Sequence, residues 1–556
     1  MQRWRLVMLT IVVALAFSME QADLGVVQSL YGPIARSLGC SAVTVGLLTT
    51  LRGVTQAVLT PFVGAAGKTM NRIYLAMIGT LIWGITNIGI GMASTFQQAA
   101  AFAGLNGTGL ALVLPCVQSI LADVYSADRR GLAFGLVMTA GILGQTIFNY
   151  VAISSGDQII HGVQGWRLVF YILAGLAGMT TALLFIFGLE PRTASRRVKL
   201  RGETGLGERR HNPIPSYSYK LLPRHLYSSI KAMLQDCKKL FTVPSFSVIL
   251  LAESIAAVGA SGTGYQVLYI ETIGFTDNQT AVLSIVFSLG LAVGMVAGGI
   301  LGDAFAKHFS RYGRPSVNQC SIAVTAPLVA LFFKGLPGAA QFSSGVPGQM
   351  HKYVALYCAV LFLVAIAAPM EQSNNAAMYA EVIPEELRCS AYAFDRGIFG
   401  LLGAVAAPLA GILAKRVWGG NDLSRKEAPQ ASPSEMQSFH ALEIVNARAL
   451  ENANMAVIVG AIVLRAVVYS ALYWTLPQDK QALLRQQAAE SCIKDLPELT
   501  GVELVRLQQA VSRKTSHGRA SSLSVPSHED RQDSSKAVRY ASEPLMDHMR
   551  APASAR

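Results

Sequence analysis

Long apolar stretches separated by short polar loops run along the chain as far as residue 476. A stretch of about 20 apolar residues forms a helix long enough to cross the hydrocarbon layer of a bilayer. The pattern therefore predicts twelve membrane-spanning helices. Their predicted cores are residues 6–29, 43–66, 72–93, 97–121, 132–154, 166–188, 246–270, 280–302, 315–335, 353–379, 391–414 and 453–475.

A polar stretch after the sixth predicted helix divides the spans into two sets of six. We therefore predict an all-α membrane protein built from two six-helix bundles. Its predicted parts are a first bundle (residues 1–189), a linker (190–244), a second bundle (245–476) and a tail (477–556). The tail is polar and rich in serine, which predicts disorder because such segments bury too little apolar surface to fold.

An internal repeat relates the two predicted bundles. Asp123 and Arg130, after the fourth span, correspond to Glu381 and Arg388 after the tenth, within a loop that matches at one constant offset. A second correspondence joins the loops after the second and eighth spans, and its members are Gly64, Arg72, Gly299, Asp303, Gly313 and Arg314. An even number of spans in each repeat gives both halves the same orientation, as in the parallel repeats of large secondary transporters.

Composition agrees with a membrane protein. Hydrophobic residues make up 52% of the chain and charged residues only 14%, too few charges for a soluble protein of 556 residues. Lysine and arginine, in a chain of net charge +13, concentrate on one side of the predicted spans, and such loops stay cytoplasmic. We expect a multi-pass protein with both termini in the cytoplasm. A string resembling an acidic dileucine sorting signal, at residues 479–484, leaves the plasma membrane and an endolysosomal membrane both open.

The predicted linker is strongly basic, with 12 Lys or Arg against 4 Asp or Glu. Anionic phospholipid at the cytoplasmic surface is the partner that this charge favours. Nucleic acid is disfavoured as a partner because the membrane tethers both ends of the segment. The other expected partner is a small-molecule or lipid-like substrate, and we expect the protein to be monomeric.

The chain lacks the residue patterns of metal, redox and nucleotide sites. Its seven cysteines form no CxxC pair, and all nine histidines fall outside the predicted spans. Gly67-Lys68-Thr69 imitates the end of a phosphate-binding loop, but Phe62 stands where that loop requires glycine. We therefore expect no metal, no cofactor and no enzymatic activity.

Several motifs resemble those of the major facilitator superfamily. They are Gly299-Ile-Leu-Gly-Asp303 with Gly313-Arg314, Ala122-Asp123 with Arg130-Gly131, and Gly165-Trp166-Arg167. Four further stretches are most similar to the spinster-like branch of plants and algae: Met19-Glu-Gln-Ala-Asp23, Leu105-Asn-Gly-Thr-Gly-Leu-Ala111, Glu381-Val-Ile-Pro-Glu-Glu386 and Tyr392-Ala-Phe-Asp-Arg396. The resemblance covers residues 6–476 and implies a secondary transporter of a small organic or amphiphilic solute, working by alternating access.

Two positions depart from the superfamily's pattern. Lys68 replaces the loop aspartate in the first half, whereas Asp303 keeps it in the second. Ala103 stands where an arginine is usual, which puts proton coupling through that arginine in doubt. A non-transporting receptor or scaffold that keeps the transporter fold is therefore the alternative function.

Ionisable residues inside the predicted spans are the candidates for substrate or proton handling, because an unpartnered charge there is costly. Glu20 and Asp23 lie three residues apart and share a helix face. Arg52 lies at the depth of Glu20, and register predicts that these two pair. The alternative is an ion pair that only joins two helices.

The resemblance places the first, fourth, seventh and tenth spans around a central cavity. It therefore implies that Glu253 in the seventh span faces the substrate, with Glu371 and Asn374 in the tenth. Charged residues at the inner ends of the spans are predicted to form a cytoplasmic gate: Asp123, Arg130, Asp303, Arg388, Asp395 and Arg396. We interpret Arg465 in the twelfth span as a snorkelling or paired residue without a functional role.

Overall fold

The computed structural model describes residues 3–40, 42–188, 190, 222–263, 265–337, 349–406, 409–420 and 433–494. A helix occupies the described part of each of the twelve predicted stretches. The helices of the first half are α1 (Arg3–Ser29), α2 (Tyr31–Leu38), α3 (Ala42–Thr69), α4 (Arg72–Met92), α5 (Phe96–Val124), α6 (Arg130–Ser155) and α7 (Gly165–Phe187).

The remaining helices belong to the linker, the second half and the tail. They are α8 (Leu222–Phe241), α9 (Pro244–Thr263), α10 (Gln266–Thr272), α11 (Asp277–His308), α12 (Gly313–Ala330), a π-helical turn (Leu331–Gly335), a 3-10 turn (Gln349–Tyr353), α13 (Val354–Ala367), α14 (Met370–Val382), α15 (Arg388–Ala406), α16 (Leu409–Arg416), α17 (Pro433–Ser470) and α18 (Leu472–Lys494).

Nine helices within the described residues are long and apolar enough to cross a membrane, or ten if the bent pair Met233–Phe241 and Pro244–Ala260 forms one span. The predicted spans outside the nine coincide with α3, α9 and α15. α3 packs against α15. The all-α fold is confirmed, and the count of twelve stays a prediction.

Polar side chains fix where several helices begin. Asn71 accepts from the backbone N–H of Ile73 at the start of α4. Thr276 and Gln279 form a reciprocal capping box at the start of α11. One short hairpin interrupts the helices of the described region: β1 (Ile159–Ile160) pairs antiparallel with β2 (Val163–Gln164) around two residues of positive φ.

The chain divides into two compact units, Met1–Pro477 and Gln478–Arg556. The first unit contains both predicted bundles. The tail differs from the prediction at its start, because α18 remains helical to Lys494 through a run rich in Ala, Gln, Leu and Arg, which are good helix formers. Residues 495–556 of the predicted disordered tail, and residues 191–221 of the predicted linker, lie outside the described residues.

The two halves meet along two helix pairs that the repeat relates, α3 with α15 and α6 with α11. A Cβ at Gly64 would lie 2.7 Å from Ser390 Cα, and a Cβ at Gly299 would lie 2.6 Å from the carbonyl carbon of Gly131. Only glycine permits such close approach of two backbones. These contacts lie at the end of the bundle where α3, α5, α11 and α14 terminate, which we call the basic end.

Close backbone contact between α3 and α15 extends to Gly397, about midway along α15. A Cβ at Gly397 would lie 3.1 Å from the carbonyl oxygen of Ala57 on α3. One and two turns further from the basic end, a Cβ at Gly400 or Gly403 would meet nothing within 4 Å. The halves are therefore joined at the basic end, and Gly397 is the furthest of these glycine contacts along α15.

Candidate functional site

Four arginines and four carboxylates form a buried cluster at the basic end, which we call the arginine network. Its members are Arg72, Arg130, Arg314, Arg388, Asp123, Glu190, Asp303 and Glu381. Arginine suits such a buried site because its planar guanidinium pairs with carboxylates through several donors at once.

In the first half the network is built around Arg72, which is fully buried where α4 begins. Its Nη1 lies 2.7 Å from Asp123 Oδ2 and donates to Ser119 Oγ at 2.5 Å. Glu190 accepts from the same arginine through its Nη2, through its Nε at 3.1 Å and through its backbone N–H at 2.9 Å. Two carboxylates thus balance one buried guanidinium.

In the second half Arg314 holds the equivalent position at the start of α12. Its Nη2 lies 2.5 Å from Asp303 Oδ1, and its Nε lies 2.7 Å from Glu381 Oε1. Arg314 Nη1 also donates to Asn374 Oδ1 at 3.2 Å. The structure therefore brings Asn374 into the arginine network and not into the predicted substrate pathway, because its position one turn below Met370 on α14 turns it toward α11 and α12.

Two carboxylates of the network cross from one half to the other. Arg388 Nη1, from the second half, lies 2.5 Å from Asp123 Oδ1 in the first. Asp303 accepts from the backbone N–H groups of Gly131 at 2.9 Å and Leu132 at 2.8 Å, at the N-terminus of α6. An anion at a helix N-terminus satisfies donors that have no partner within the helix. These contacts tie the halves together at the basic end.

The remaining contacts of two arginines repeat between the halves. Arg130 Nε donates to the carbonyl oxygen of Ala122 at 3.1 Å, and Arg388 Nη2 donates to that of Ala380 at 2.9 Å. Each arginine thereby closes the loop that precedes its own helix. Arg130 has no carboxylate partner among the described ion pairs, whereas Arg388 has Asp123.

The structure places Asp395 and Arg396 outside this network, contrary to the prediction that they belong to the gate. They follow Arg388 by two turns on α15, which carries them about 10 Å deeper into the bundle. Asp395 Oδ1 accepts from Tyr379 OH at 2.9 Å. The Arg396 guanidinium lies 6.0 Å from the ring centre of Phe17 on α1.

A polar pocket of about 20 Å³ surrounds Asp395 and Arg396, between the halves. Glu253 from α9 and Gln118 from α5 line it as well. A volume of this size holds about one water molecule. Two carboxyl groups and one guanidinium therefore face one small buried space.

Hydrogen bonds from one side fix the Glu253 carboxylate. Asn375 Nδ2 donates to Glu253 Oε1 and, at 2.6 Å, to Tyr469 OH. Asn318 Nδ2 in turn donates to Asn375 Oδ1 at 2.8 Å. This buried chain of amides orients the carboxyl group of Glu253.

A separate acidic pair lies in the first half. Arg52 Nε is 2.6 Å from Asp23 Oδ2, and Trp83 Nε1 donates to Asp23 Oδ1 at 3.1 Å. Glu20 instead accepts from Gln56 Nε2 at 2.8 Å. The prediction that Arg52 pairs with Glu20 is therefore wrong, because the shared face of α1 presents Asp23 to Arg52 and Glu20 to the residue one turn further along α3.

The second half contains a larger cavity of about 260 Å³. Glu371 on α14 and Arg465 on α17 form a buried ion pair at its wall. Glu371 Oε2 and Arg465 Nε have no hydrogen-bond partner among the described residues. The rest of the lining is mostly apolar and includes Phe287, Leu291, Phe332, Phe333, Leu361 and Ile462. An amphiphilic molecule would match this lining, since pockets of this kind combine apolar walls with a few oriented polar groups.

Sequence reasoning missed several members of these sites. Glu190 stands alone beside a proline in the polar linker, and no periodicity marks it. Tyr379 and Trp83 look like ordinary core aromatics, and only the structure shows their polar tips on Asp395 and Asp23. Arg465 was assigned no function, but its charge sits beside a cavity.

The family comparison gives a direct match. Residues 7–335 match the family profile of the Major Facilitator Superfamily. Protein spinster homolog 1 of Homo sapiens is 24% identical over 413 residues, which are 72% of this chain and 69% of that protein. This similarity confirms the resemblance to spinster-like proteins, while the plant and algal branch stays a prediction.

Two further comparisons extend the same result. The multidrug export protein EmrB of Escherichia coli (strain K12) is 26% identical over 202 residues, 36% of this chain, and the chain spans only 38% of its length. The solved structure of the proton:xylose symporter XylE bound to 6-bromo-6-deoxy-D-glucose aligns with a TM-score of 0.57 at 15% identity, covering 84% of this chain and 95% of that one. At that identity the likeness concerns the fold alone. With more than half of its residues in the family match, the chain belongs to the Major Facilitator Superfamily.

Proposed function

We propose that this multi-pass membrane protein is a secondary transporter that exposes one site alternately to the two sides of the membrane. The observation that carries the proposal is the crossing of charges at the basic end, where Arg388 holds Asp123 and Asp303 caps α6. Further along α15, a Cβ at Gly400 or Gly403 would meet nothing within 4 Å. Halves held together at one end are one state of a rocking cycle.

We infer that the basic end faces the cytoplasm, together with both termini. The short loops at this end carry Lys68, Arg129, Lys307 and Arg311, and loops of this charge remain on the cytoplasmic side. The bundles 1–189 and 245–476 are then the rocking bodies, and the linker 190–244 connects them in the cytoplasm beside anionic phospholipid. In this orientation the described state is closed toward the cytoplasm.

The substrate that fits best is a small amphiphilic organic solute that carries a charged or strongly polar group. Its apolar part would fill the 260 Å³ cavity of the second half, and its polar group would meet Glu371 and Arg465. The atoms of this ion pair that lack a hydrogen-bond partner among the described residues supply the donor and acceptor. Leaving them without a partner is costly in an apolar surrounding, which favours occupancy by a ligand.

Proton coupling belongs to the polar pocket in this proposal. We assign the coupled proton to this pocket because Glu253 and Asp395 face the same small space beside Arg396. Opening of the basic end would hydrate the pocket and release that proton. Glu20 binds the Gln56 amide, and Asp23 binds the Trp83 indole and the Arg52 guanidinium. These partners favour a structural role for both carboxylates over proton transfer.

The test uses the purified protein in detergent and in proteoliposomes. Thermal-shift screening of small amphiphilic cations, anions and zwitterions would identify a ligand, and its flux would then be measured with and without an imposed pH gradient. We expect Glu371→Gln to weaken ligand binding, and Glu253→Gln to keep binding while removing the effect of the gradient. The matched control is Glu385→Gln, in an exposed loop of the second half.

A ligand that binds but crosses the membrane under no gradient would contradict the proposal and favour the receptor or scaffold. Flux that is the same with and without the gradient, in wild type and in Glu253→Gln, would remove the proton from the proposal and leave a facilitator.

A further inference from the structure

The repeat relates the α6–α11 and α3–α15 contacts between the halves. Only in the α6–α11 contact does one of the two paired helices provide a carboxylate. In the α6–α11 contact, Asp303 comes from the loop after α11 and accepts from the first residues of α6. In the α3–α15 contact the equivalent position is Lys68. A lysine at a helix N-terminus repels the partial positive charge of the helix, whereas a carboxylate is attracted to it. The α3–α15 contact should therefore be the weaker one.

A carboxylate from the linker occupies this place instead. Asp236 on α8 is buried, and its Oδ2 accepts from Ser390 Oγ at 2.7 Å in the first turn of α15. Its Oδ1 forms an ion pair with Lys68. In the repeat, Ser390 corresponds to Leu132, one of the two residues that Asp303 holds on α6. Asp236 thus neutralises Lys68. It also binds the start of α15, where the loop after α3 provides no aspartate.

A second linker carboxylate, Glu190, supplies the ion pair with arginine that an aspartate at position 68 would have made. Arg314 binds Asp303 and Glu381. Arg72, its counterpart, binds Asp123, which corresponds to Glu381, and takes Glu190 where Arg314 has Asp303. In the second half, Asp303 alone binds both the arginine and the start of the facing helix. In the first half, Glu190 binds the arginine and Asp236 binds the start of the facing helix.

The position of α8 would allow it to detach from the rest of the bundle. Its last turns, Met233–Phe241, meet the following segment Pro244–Ala260 at 99°, and α8 contacts α3, α9 and α15. Asp236 and Leu240 are buried against these helices, whereas Lys231, Lys238 and Lys239 are exposed. Of the side chains of α8 whose burial the structure describes, only Asp236 and Leu240 are fully buried.

We propose that the linker completes the basic-end gate, with Asp236 as a positioning residue and α8 as a latch that must release before the halves separate there. The proposal rests on the proposed function, since it assumes that the basic end opens. It assigns the linker a regulatory role: whatever displaces α8 favours the state open at the basic end.

The native thiol of Cys389 reports on this opening without any substrate. Cys389 is fully buried in the α3–α15 contact, with its Sγ directed at Gly67 of the other half. Separation of the halves would expose it. The measurement is the rate of N-ethylmaleimide modification of Cys389 in membranes, followed by mass spectrometry, with Cys40 at the opposite end as the internal reference.

We expect Asp236→Asn to raise the modification rate of Cys389 about tenfold, as the loss of a buried charge-assisted contact predicts. Lys68→Asp alone should raise it too, because the new carboxylate faces Asp236. The double variant Lys68→Asp with Asp236→Asn should return the rate toward wild type, because the loop then carries its own carboxylate. A misfolded protein would not recover on a second substitution, so the rescue separates latch release from loss of fold.

Asp303→Asn is the matched control for the other contact. It should raise the rate whether or not Lys68→Asp is present, because it does not involve α8. An unchanged rate in Asp236→Asn beside a raised rate in Asp303→Asn would overturn the latch and leave the transporter proposal intact. Unchanged rates in both variants would overturn the gate itself and with it the proposed function.

Discussion

The loops after α3 and after α11 derive from one repeated unit, yet they close the basic end by different means. The second-half loop is self-sufficient, since Asp303 binds Arg314 in its own half and the start of α6 in the other. The first-half loop carries Lys68 at this place and depends on Glu190 and Asp236 from the linker. A contact supplied by a separate segment can be withdrawn before the halves move, whereas a contact built into the loop breaks only when the halves separate. The comparison therefore distinguishes a side of the gate that the linker can regulate from a side that it cannot.

The largest effect should come from the carboxylate that both halves share. Asp123→Ala leaves Arg72 and Arg388 short of a partner in a buried site. Breaking a buried pair costs about 3–5 kcal/mol, and we expect the upper end of this range as a fall in the free energy of unfolding. The measurement is thermal unfolding of the purified protein in detergent, together with Cys389 modification, which should increase.

Asp128→Ala is the control for this variant. Asp128 lies five residues after Asp123, in the loop that follows α5, and is exposed. It accepts from the Ser126 hydroxyl, a hydrogen bond that lowers the pKa of Asp128. Asp128 holds no buried arginine, so its removal should leave both readouts unchanged. Equal effects of the two substitutions would mean that the arginine network does not hold the halves.

The next largest effect on stability distinguishes the buried aspartates of the two halves, Asp23 and Asp395. Asp23→Asn leaves the buried Arg52 without its ion pair, which should lower the free energy of unfolding by about 3 kcal/mol. Asp395→Asn removes a carboxylate that has no ion pair among the described residues, so stability should hardly change while any pH dependence of flux disappears. Thermal unfolding and flux at several pH values test the two together, and the reverse ranking would place the proton site in the first half.

Close packing at the basic end should give a smaller effect. Gly64→Ala and Gly299→Ala each put a methyl group against backbone atoms of the other half. Overpacking of this kind costs about 1–3 kcal/mol, and it should raise Cys389 modification because it forces the halves apart. Gly403→Ala is the matched control, since a Cβ there meets nothing within 4 Å. Faster modification in that control as well would argue against a local effect at the basic end.

The smallest effect belongs to an ion pair at the opposite end. Arg36 and Asp157 pair with side chains that are 65% and 68% exposed. Exposed pairs contribute less than about 1 kcal/mol, so Arg36→Ala should leave thermal unfolding and Cys389 modification nearly unchanged. A clear increase in Cys389 modification would mean that the two ends of the bundle are coupled more tightly than the contacts suggest.

Sequence reasoning succeeded where the signal is local. The apolar runs located the helices, because a span must satisfy its own backbone in lipid and therefore reads as one continuous segment. The repeat of Asp123 and Arg130 at Glu381 and Arg388 marked the basic end, because matching loops of a parallel repeat lie on the same side of the membrane. Register failed for Arg52, because Glu20 and Asp23 share a face and depth alone does not decide which of them the guanidinium reaches.

The sequence by itself determined the class of the protein, the arrangement of two repeated halves and the weak position at Lys68. Only the tertiary structure decided what compensates for that position. Asp236 and Ser390 are 154 residues apart, and Glu190 and Arg72 are 118 apart, so no periodicity or motif connects them. Hydrophobic periodicity acts within a helix, whereas the pairing of buried charges depends on which side chains the folded chain brings within a few ångströms.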